Sequence, residues 1–197
     1  MAIKRKLKNR KGFTLAETLL AVLILMLVSV IVARGIPVAK NVYQNVVLAA
    51  NAQDILATAV SNLRDELGTS WDVRVDDNYN AASGTYVTYF SADTGARSKI
   101  FLGDSADGDK EIMLQKNVAV SDLGIKNNAG STAYALVSDS GATDLNRLYV
   151  KYSGVSYNKA DHTVVFTGLA AGPRDSRELV KLDRLAIQVF TDKESGS

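Results

Sequence analysis

Apolar and polar residues alternate in three different ways along this chain. From Phe13 to Ala33 the run is almost unbroken, with Thr14, Glu17, Thr18 and Ser29 as its only polar members. As a helix these residues rise about 31 Å at 1.5 Å per residue, enough to cross a hydrocarbon layer of about 30 Å. Arg34, Gly35 and Pro37 then combine a charge, a flexible residue and a helix breaker. They predict the exit from the apolar layer together with a break or kink at Gly35 and Pro37.

The second regime runs from Val38 to Leu67, where neither Pro nor Gly occurs and Leu48, Ala52, Leu56, Ala59, Leu63 and Leu67 recur at three- and four-residue intervals. That spacing predicts one apolar stripe on an amphipathic helix, with Gly68 as its C-terminal stop. After Gly68 the period changes again. YVTYF (86–90), KIFL (99–102), EIML (111–114), YALV (134–137), RLYVKY (147–152), TVVF (163–166) and LAIQVF (185–190) are short β-prone runs separated by Gly, Asn, Asp and Ser. They read as strands at hairpin spacing. A helix followed by consecutive strands predicts an α+β fold, an antiparallel sheet packed on the amphipathic half of a long N-terminal helix. The expected organisation is residues 1–12 as a basic leader, 13–37 as a membrane-spanning helix, 38–68 as the amphipathic helix and 69–197 as a β-rich head.

Charge changes this picture at one end only. Lys4, Arg5, Lys6, Lys8, Arg10 and Lys11 form a block with no acid, so the remainder of the chain keeps 17 basic side chains against 21 acidic ones. The overall charge of +2 conceals a remainder at −4. A basic flank before a span is what the cytoplasmic side retains, which predicts a cytoplasmic N-terminus and an extracytoplasmic head. It also makes nucleic acid a disfavoured partner for the head. There is no cysteine, which removes disulfides, thiolate catalysis and Cys-ligated zinc.

The order of features in KGFTLAETLLAVLIL, residues 11–25, is distinctive. An ordinary secretory signal has its small-residue cleavage site after the apolar run, whereas Gly12 stands before it. The segment resembles the N-terminal processing motif of type IV prepilins and of the related secretion and competence pseudopilins, a resemblance confined to about the first 40 residues. It implies cleavage between Gly12 and Phe13 by a membrane prepilin peptidase, N-methylation of Phe13 and local unwinding near the Gly35/Pro37 pair on assembly. It also implies polymerisation with other pilin subunits, driven by a platform protein and an assembly ATPase. Cleavage would leave a cationic amine four residues from Glu17, about one helical turn away. Paired with the amine of a neighbouring subunit, Glu17 becomes an assembly residue that favours one axial register. The bland reading is a plain anchor with an acid near its interface, where it costs less than the roughly 2.5–3.5 kcal/mol of a central position.

Elsewhere the signals for chemistry are thin. Asp104, Asp107, Asp109 and Glu111 in DSADGDKE can offer oxygen ligands to calcium, but the spacing does not fit an EF-hand, and Asp and Gly are also what a loop requires. Trp71, Tyr86, Tyr89, Tyr149 and Tyr152 fit cross-strand packing better than a ligand platform. His162 is the only histidine and reads as a strand-edge residue, while Asp65–Glu66 and Asp76–Asp77 read as solvated charge. There is no G-x-S-x-G elbow, Walker loop or dinucleotide fingerprint, so the expectation is no enzyme and no cofactor. The sequence therefore predicts a structural subunit, held by lipid before assembly and then part of a cell-surface filament. A major pilin, a minor pilin and a secretion or DNA-uptake pseudopilin all fit. The alternative is a single-pass anchored extracytoplasmic binding or adhesion domain that never polymerises.

Overall fold

The structure, a computed structural model, describes residues 14–76, 83–104, 110–118, 133–137, 147–173 and 177–190. The chain divides into two compact units, Met1–Val47 and Leu48–Ser197. Helix α1 (Leu15–Gly68) supplies the described part of the first unit and opens the second.

In the first unit every described side chain is exposed, Leu15 at 79% and Val47 at 38% among them. This exposed apolar helix is long and apolar enough to cross a membrane. The backbone stays helical through Gly35 and Pro37. Pro37 has no N–H to give the Ala33 carbonyl and costs about 3 kcal/mol in a helix interior. The expected break is thus a weakened turn inside a continuous helix, because the hydrogen bonds on either side are retained.

In the second unit α1 buries Ala52, Leu56, Ala59, Leu63 and Leu67, members of the predicted stripe. The helix ends at Gly68, but not through a left-handed glycine, since only Gly95 and Gly168 have positive φ among the described glycines. Ser70 ends it instead: its N–H and its hydroxyl both donate to the Leu67 carbonyl, at 3.1 and 2.7 Å. One donor pair satisfies a carbonyl that the helix would leave open.

Among the described residues ten strands follow: β1 (Trp71–Val75), β2 (Ser83–Gly84), β3 (Val87–Phe90), β4 (Arg97–Asp104), β5 (Lys110–Gln115), β6 (Ala133–Ala135), β7 (Leu148–Lys151), β8 (Gly154–Asn158), β9 (Thr163–Pro173) and β10 (Val180–Gln188). They form two antiparallel sheets, one in the order β1-β3-β4-β5-β6 and one in the order β10-β9-β8-β2 with β7 also on β9. Alternation decides what each strand buries. In β3 and β4, Val87 pairs with Ile100, both at 0% exposure, and these face the helix stripe as part of a single hydrophobic core. The second sheet adds Val164, Phe166 and Leu169 from β9 and Leu185 and Ile187 from β10 to the same core. The architecture is α+β, with antiparallel sheets packed on the amphipathic part of α1.

Polar contacts fasten the helix end to this core. Tyr89 donates its hydroxyl to Glu66 at 3.2 Å, and Lys116 reaches the other Glu66 oxygen at 2.7 Å. Asn62 donates to the Leu136 carbonyl at 3.0 Å. Glu66 is therefore not a solvated acid, and neither is Asp76, whose Oδ1 accepts from the N–H groups of Thr85 at 2.9 Å and Tyr86 at 3.1 Å. The partners lie nine or more residues along the chain, on β3 or beside the ends of strands, which is why adjacent-acid spacing said nothing of them. Asp77 lies outside the described residues.

Candidate functional site

The first turn of α1 carries the one acid of the apolar segment, and the local sequence fixes where its carboxylate goes. Thr14 precedes the helix and Glu17 stands three residues later, the T-x-x-E spacing of a capping box. The Thr14 N–H donates to Glu17 Oε2 at 3.0 Å, and the Thr14 hydroxyl lies 3.3 Å from the same oxygen. In return the Glu17 N–H faces Thr14 Oγ1 at 3.3 Å and donates to the Thr14 carbonyl at 3.0 Å. Orphan donors at a helix start are thereby satisfied from within the chain, and the carboxylate sits where the positive end of the helix dipole favours it. Both residues are exposed. The sequence signal for Thr14 as a cap was present in the T-x-x-E spacing ahead of an apolar run; attention to the acid alone passes over it.

Gly12 and Phe13, the expected cleavage and methylation positions, lie outside the described residues, as do Asp107 and Asp109 of the calcium candidates. Of the remaining candidates, Asp104 ends β4, paired in register with Lys110, and Glu111 is buried in β5 opposite Gly103. Among the described residues no three acids or histidines are grouped to hold a metal ion.

The candidate aromatic residues Trp71, Tyr86, Tyr89, Tyr149 and Tyr152 all contact neighbouring side chains or backbone. Trp71 stacks on Phe90 with centroids 5.9 Å apart and planes 9° from parallel, and the Arg97 guanidinium lies 4.4 Å from the Phe90 centroid. Asp72 holds that guanidinium in an ion pair and also binds Arg74. Tyr86 lies under the Lys99 ammonium at 4.1 Å, and Arg147 lies 5.4 Å from the Tyr149 ring. Tyr152 packs edge-on against Phe166 and donates its hydroxyl to the Thr85 carbonyl at 2.6 Å. Burial, and then the neighbouring carboxylates, push the phenols of Tyr89 and Tyr152 well above the usual tyrosine range. His162 turns the chain into β9 with φ of 48° and places Nδ1 3.4 Å from the Tyr157 hydroxyl.

Compared with known proteins, residues 7–33 match the family described as the prokaryotic N-terminal methylation motif. That stretch includes Gly12, Phe13, Thr14 and Glu17 and ends at Ala33. The chain thus carries the N-terminal signature of type IV pilins and pseudopilins, and the motif implies processing by prepilin peptidase and packing with other pilin-like subunits. It points to a structural subunit rather than an enzyme. No curated protein and no solved structure gives a significant match.

Proposed function

We propose that this chain is a structural subunit of a type IV pilus-like filament, a pilin or pseudopilin cut between Gly12 and Phe13 and polymerised through α1. The observation that carries the reading is the methylation motif at residues 7–33 overlapping the first part of α1, whose described side chains up to Val47 are all exposed. Such a surface needs lipid or other apolar helices around it, and a processed subunit uses both in turn. The head is extracytoplasmic, the basic leader stays in the cytoplasm, and an assembly ATPase acting through a platform protein supplies the work of extraction. Glu17 meets the amine of Phe13 on a neighbouring subunit, so that the filament settles into one axial register.

The mature N-terminus tests this. Mass spectrometry of the chain from cells that make it, together with their sheared surface fraction, is expected to find methylated Phe13 at the start of the chain and the chain itself in filaments. A full-length chain retaining residues 1–12 and found only in membranes would overturn the proposal in favour of an anchored domain that does not polymerise.

A further inference from the structure

Strand β10 ends its sheet. Among the described residues it pairs with β9 alone, so the other side of a nine-residue strand is open. A groove of about 530 Å³ lies beside its first residues, between them and one flank of α1. Val180 and Leu182 point to one face of the strand and Lys181 to the other, as their half-buried, exposed, half-buried order shows, yet all three line this groove. Consecutive residues share a space only along a strand's edge, so the groove opens on backbone N–H and C=O groups as well as on side chains. Its apolar lining includes Leu56 and Ala57, and Val60, Val180 and Leu182 are only half-buried at the rim of the core. Open main-chain groups beside incompletely covered apolar side chains are what an added strand satisfies.

We infer that the strand which fills this place is β10 of a second copy of the chain, antiparallel and centred on Leu182. Charge selects both the partner and the register. The exposed charges of β10 are Lys181, Asp183 and Arg184, and Lys181 and Asp183 share a face, their ion pair measuring 3.8 Å. Two copies joined antiparallel, edge to edge, are related by a two-fold axis normal to the sheet, which keeps each face on its own side. The axis must therefore set one residue opposite itself. Centred on Lys181, Asp183 or Arg184 it sets a charge against its own copy, and like charges directly opposite destabilise a strand pair. Centred on Leu182 it sets Lys181 of each copy opposite Asp183 of the other, two matched pairs flanking Leu182 against Leu182.

Leu182 also lines the groove, so the register chosen by charge brings an apolar side chain to where Val60 and Val180 lack cover. Charges on an open edge ordinarily keep it solitary, and here they reject an arbitrary strand while fitting one partner. An isologous contact closes on itself and does not propagate into a helical filament. The pair thus belongs to the chain outside a filament and does not depend on the function proposed above.

The chain has no cysteine, which makes single-cysteine cross-linking specific. The full chain is made in membranes as Leu182→Cys and as Gln188→Cys and treated with a mild oxidant. In the paired strands the two Cα atoms of residue 182 stand about 4.5–5.5 Å apart, within disulfide reach, whereas those of residue 188 are offset by about 12 residues, on the order of 40 Å. A disulfide-linked dimer is expected at 182 and not at 188. Adding Lys181→Asp or Asp183→Lys to the Leu182→Cys chain turns both matched pairs into like-charge pairs and should cut the dimer about ten-fold. Co-expressing the two charge variants, one of them size-tagged, restores opposite charges at both places in the mixed pair, whose yield should return to that of Leu182→Cys alone. Neither misfolding nor association through α1 is repaired in that way. Equal linking at 182 and 188, or none at 182, overturns the inference, as does a dimer indifferent to charge reversal or a mixture that does not recover. Where Leu182→Cys yields too little folded chain, the charge variants are compared without cysteine by sedimentation in detergent. There the wild type and the mixture should be dimers and each single variant a monomer, and any other order overturns the inference.

Discussion

Replacing Tyr89 by Phe should lower the stability of the head at neutral pH and yet make it less sensitive to alkali. Tyr89 is fully buried and its hydroxyl donates to Glu66. Loss of that bond costs about 1–2 kcal/mol, less than for an isolated charged acceptor because Lys116 stays on Glu66. Burial first, and then the charge of Glu66, raise the pKa of Tyr89, so the unfolded chain gives up this proton before the folded chain does. The contribution to stability is intact below the ordinary phenol value near pH 10 and is lost as pH rises beyond it, by about 1.4 kcal/mol per unit. Tyr152 is raised in the same direction, chiefly by burial, and doubles the slope of the wild type. Lys116, also raised through its bond to Glu66, is common to both proteins.

The two chains should therefore differ by about 1–2 kcal/mol at about pH 8 and draw level at about pH 11. Urea unfolding of the full chain in detergent, followed by the fluorescence of Trp71, the only tryptophan, reads this directly because Trp71 stacks on Phe90 in β3. A difference that stays constant from about pH 8 to about pH 11 would refute the reasoning, since it would mean that the Tyr89 proton is released equally easily in both states.

Two further outcomes follow from other parts of the molecule. Leu63→Ala empties a site at 0% exposure at the centre of the helix stripe and should cost about 2–5 kcal/mol in the same urea assay, against under about 0.5 for the exposed Thr58→Ala. Glu17→Gln keeps a side chain able to close the capping box but removes the charge; it should leave membrane insertion and processing intact while reducing the filament fraction nearly as far as Glu17→Ala.

How far the sequence discloses this structure depends on whether a signal is periodic or a matter of distant partners. The Leu/Ala stripe from Ala52 to Leu67 was legible because burial on one face writes itself at helical spacing. The runs rich in Val, Ile, Tyr and Phe were legible as strands for the same kind of reason. β1 was not, because a register shift between Trp71 and Arg74 and a φ of 47° at Asp72 interrupt its alternation. β8 was hidden in residues that usually announce turns, Gly154, Ser156 and Asn158, although it is paired on both sides, with β9 and β2. Gly68 promised a glycine cap that Ser70 supplies by other means. The engagement of Glu66 with Tyr89 and Lys116 depends on closure of the fold, and no local pattern encodes it. At the N-terminus the reverse holds, since Thr14 and Glu17 stand three residues apart and their contact lies within one helical turn.

That contrast bears on why a carboxylate stands at position 17. A glutamine three residues after Thr14 would close the same box and satisfy the same orphan donors, with no charge to bring into an apolar layer. Capping therefore accounts for Thr14 and for the spacing, but not for the choice of an acid. What a carboxylate adds over an amide is the ability to neutralise a cation, and in the apolar run from Phe13 to Ala33 there is no basic side chain to neutralise. The first one after it, Arg34, is 17 residues and about 25 Å of helix away. A cation for Glu17 must come from outside its own apolar helix face or from a new terminus created by cleavage. If the chain is cut after Gly12 as proposed, the new amine stands four residues, about one turn, from Glu17, and the acid and the proposed cut explain each other better than either is explained alone.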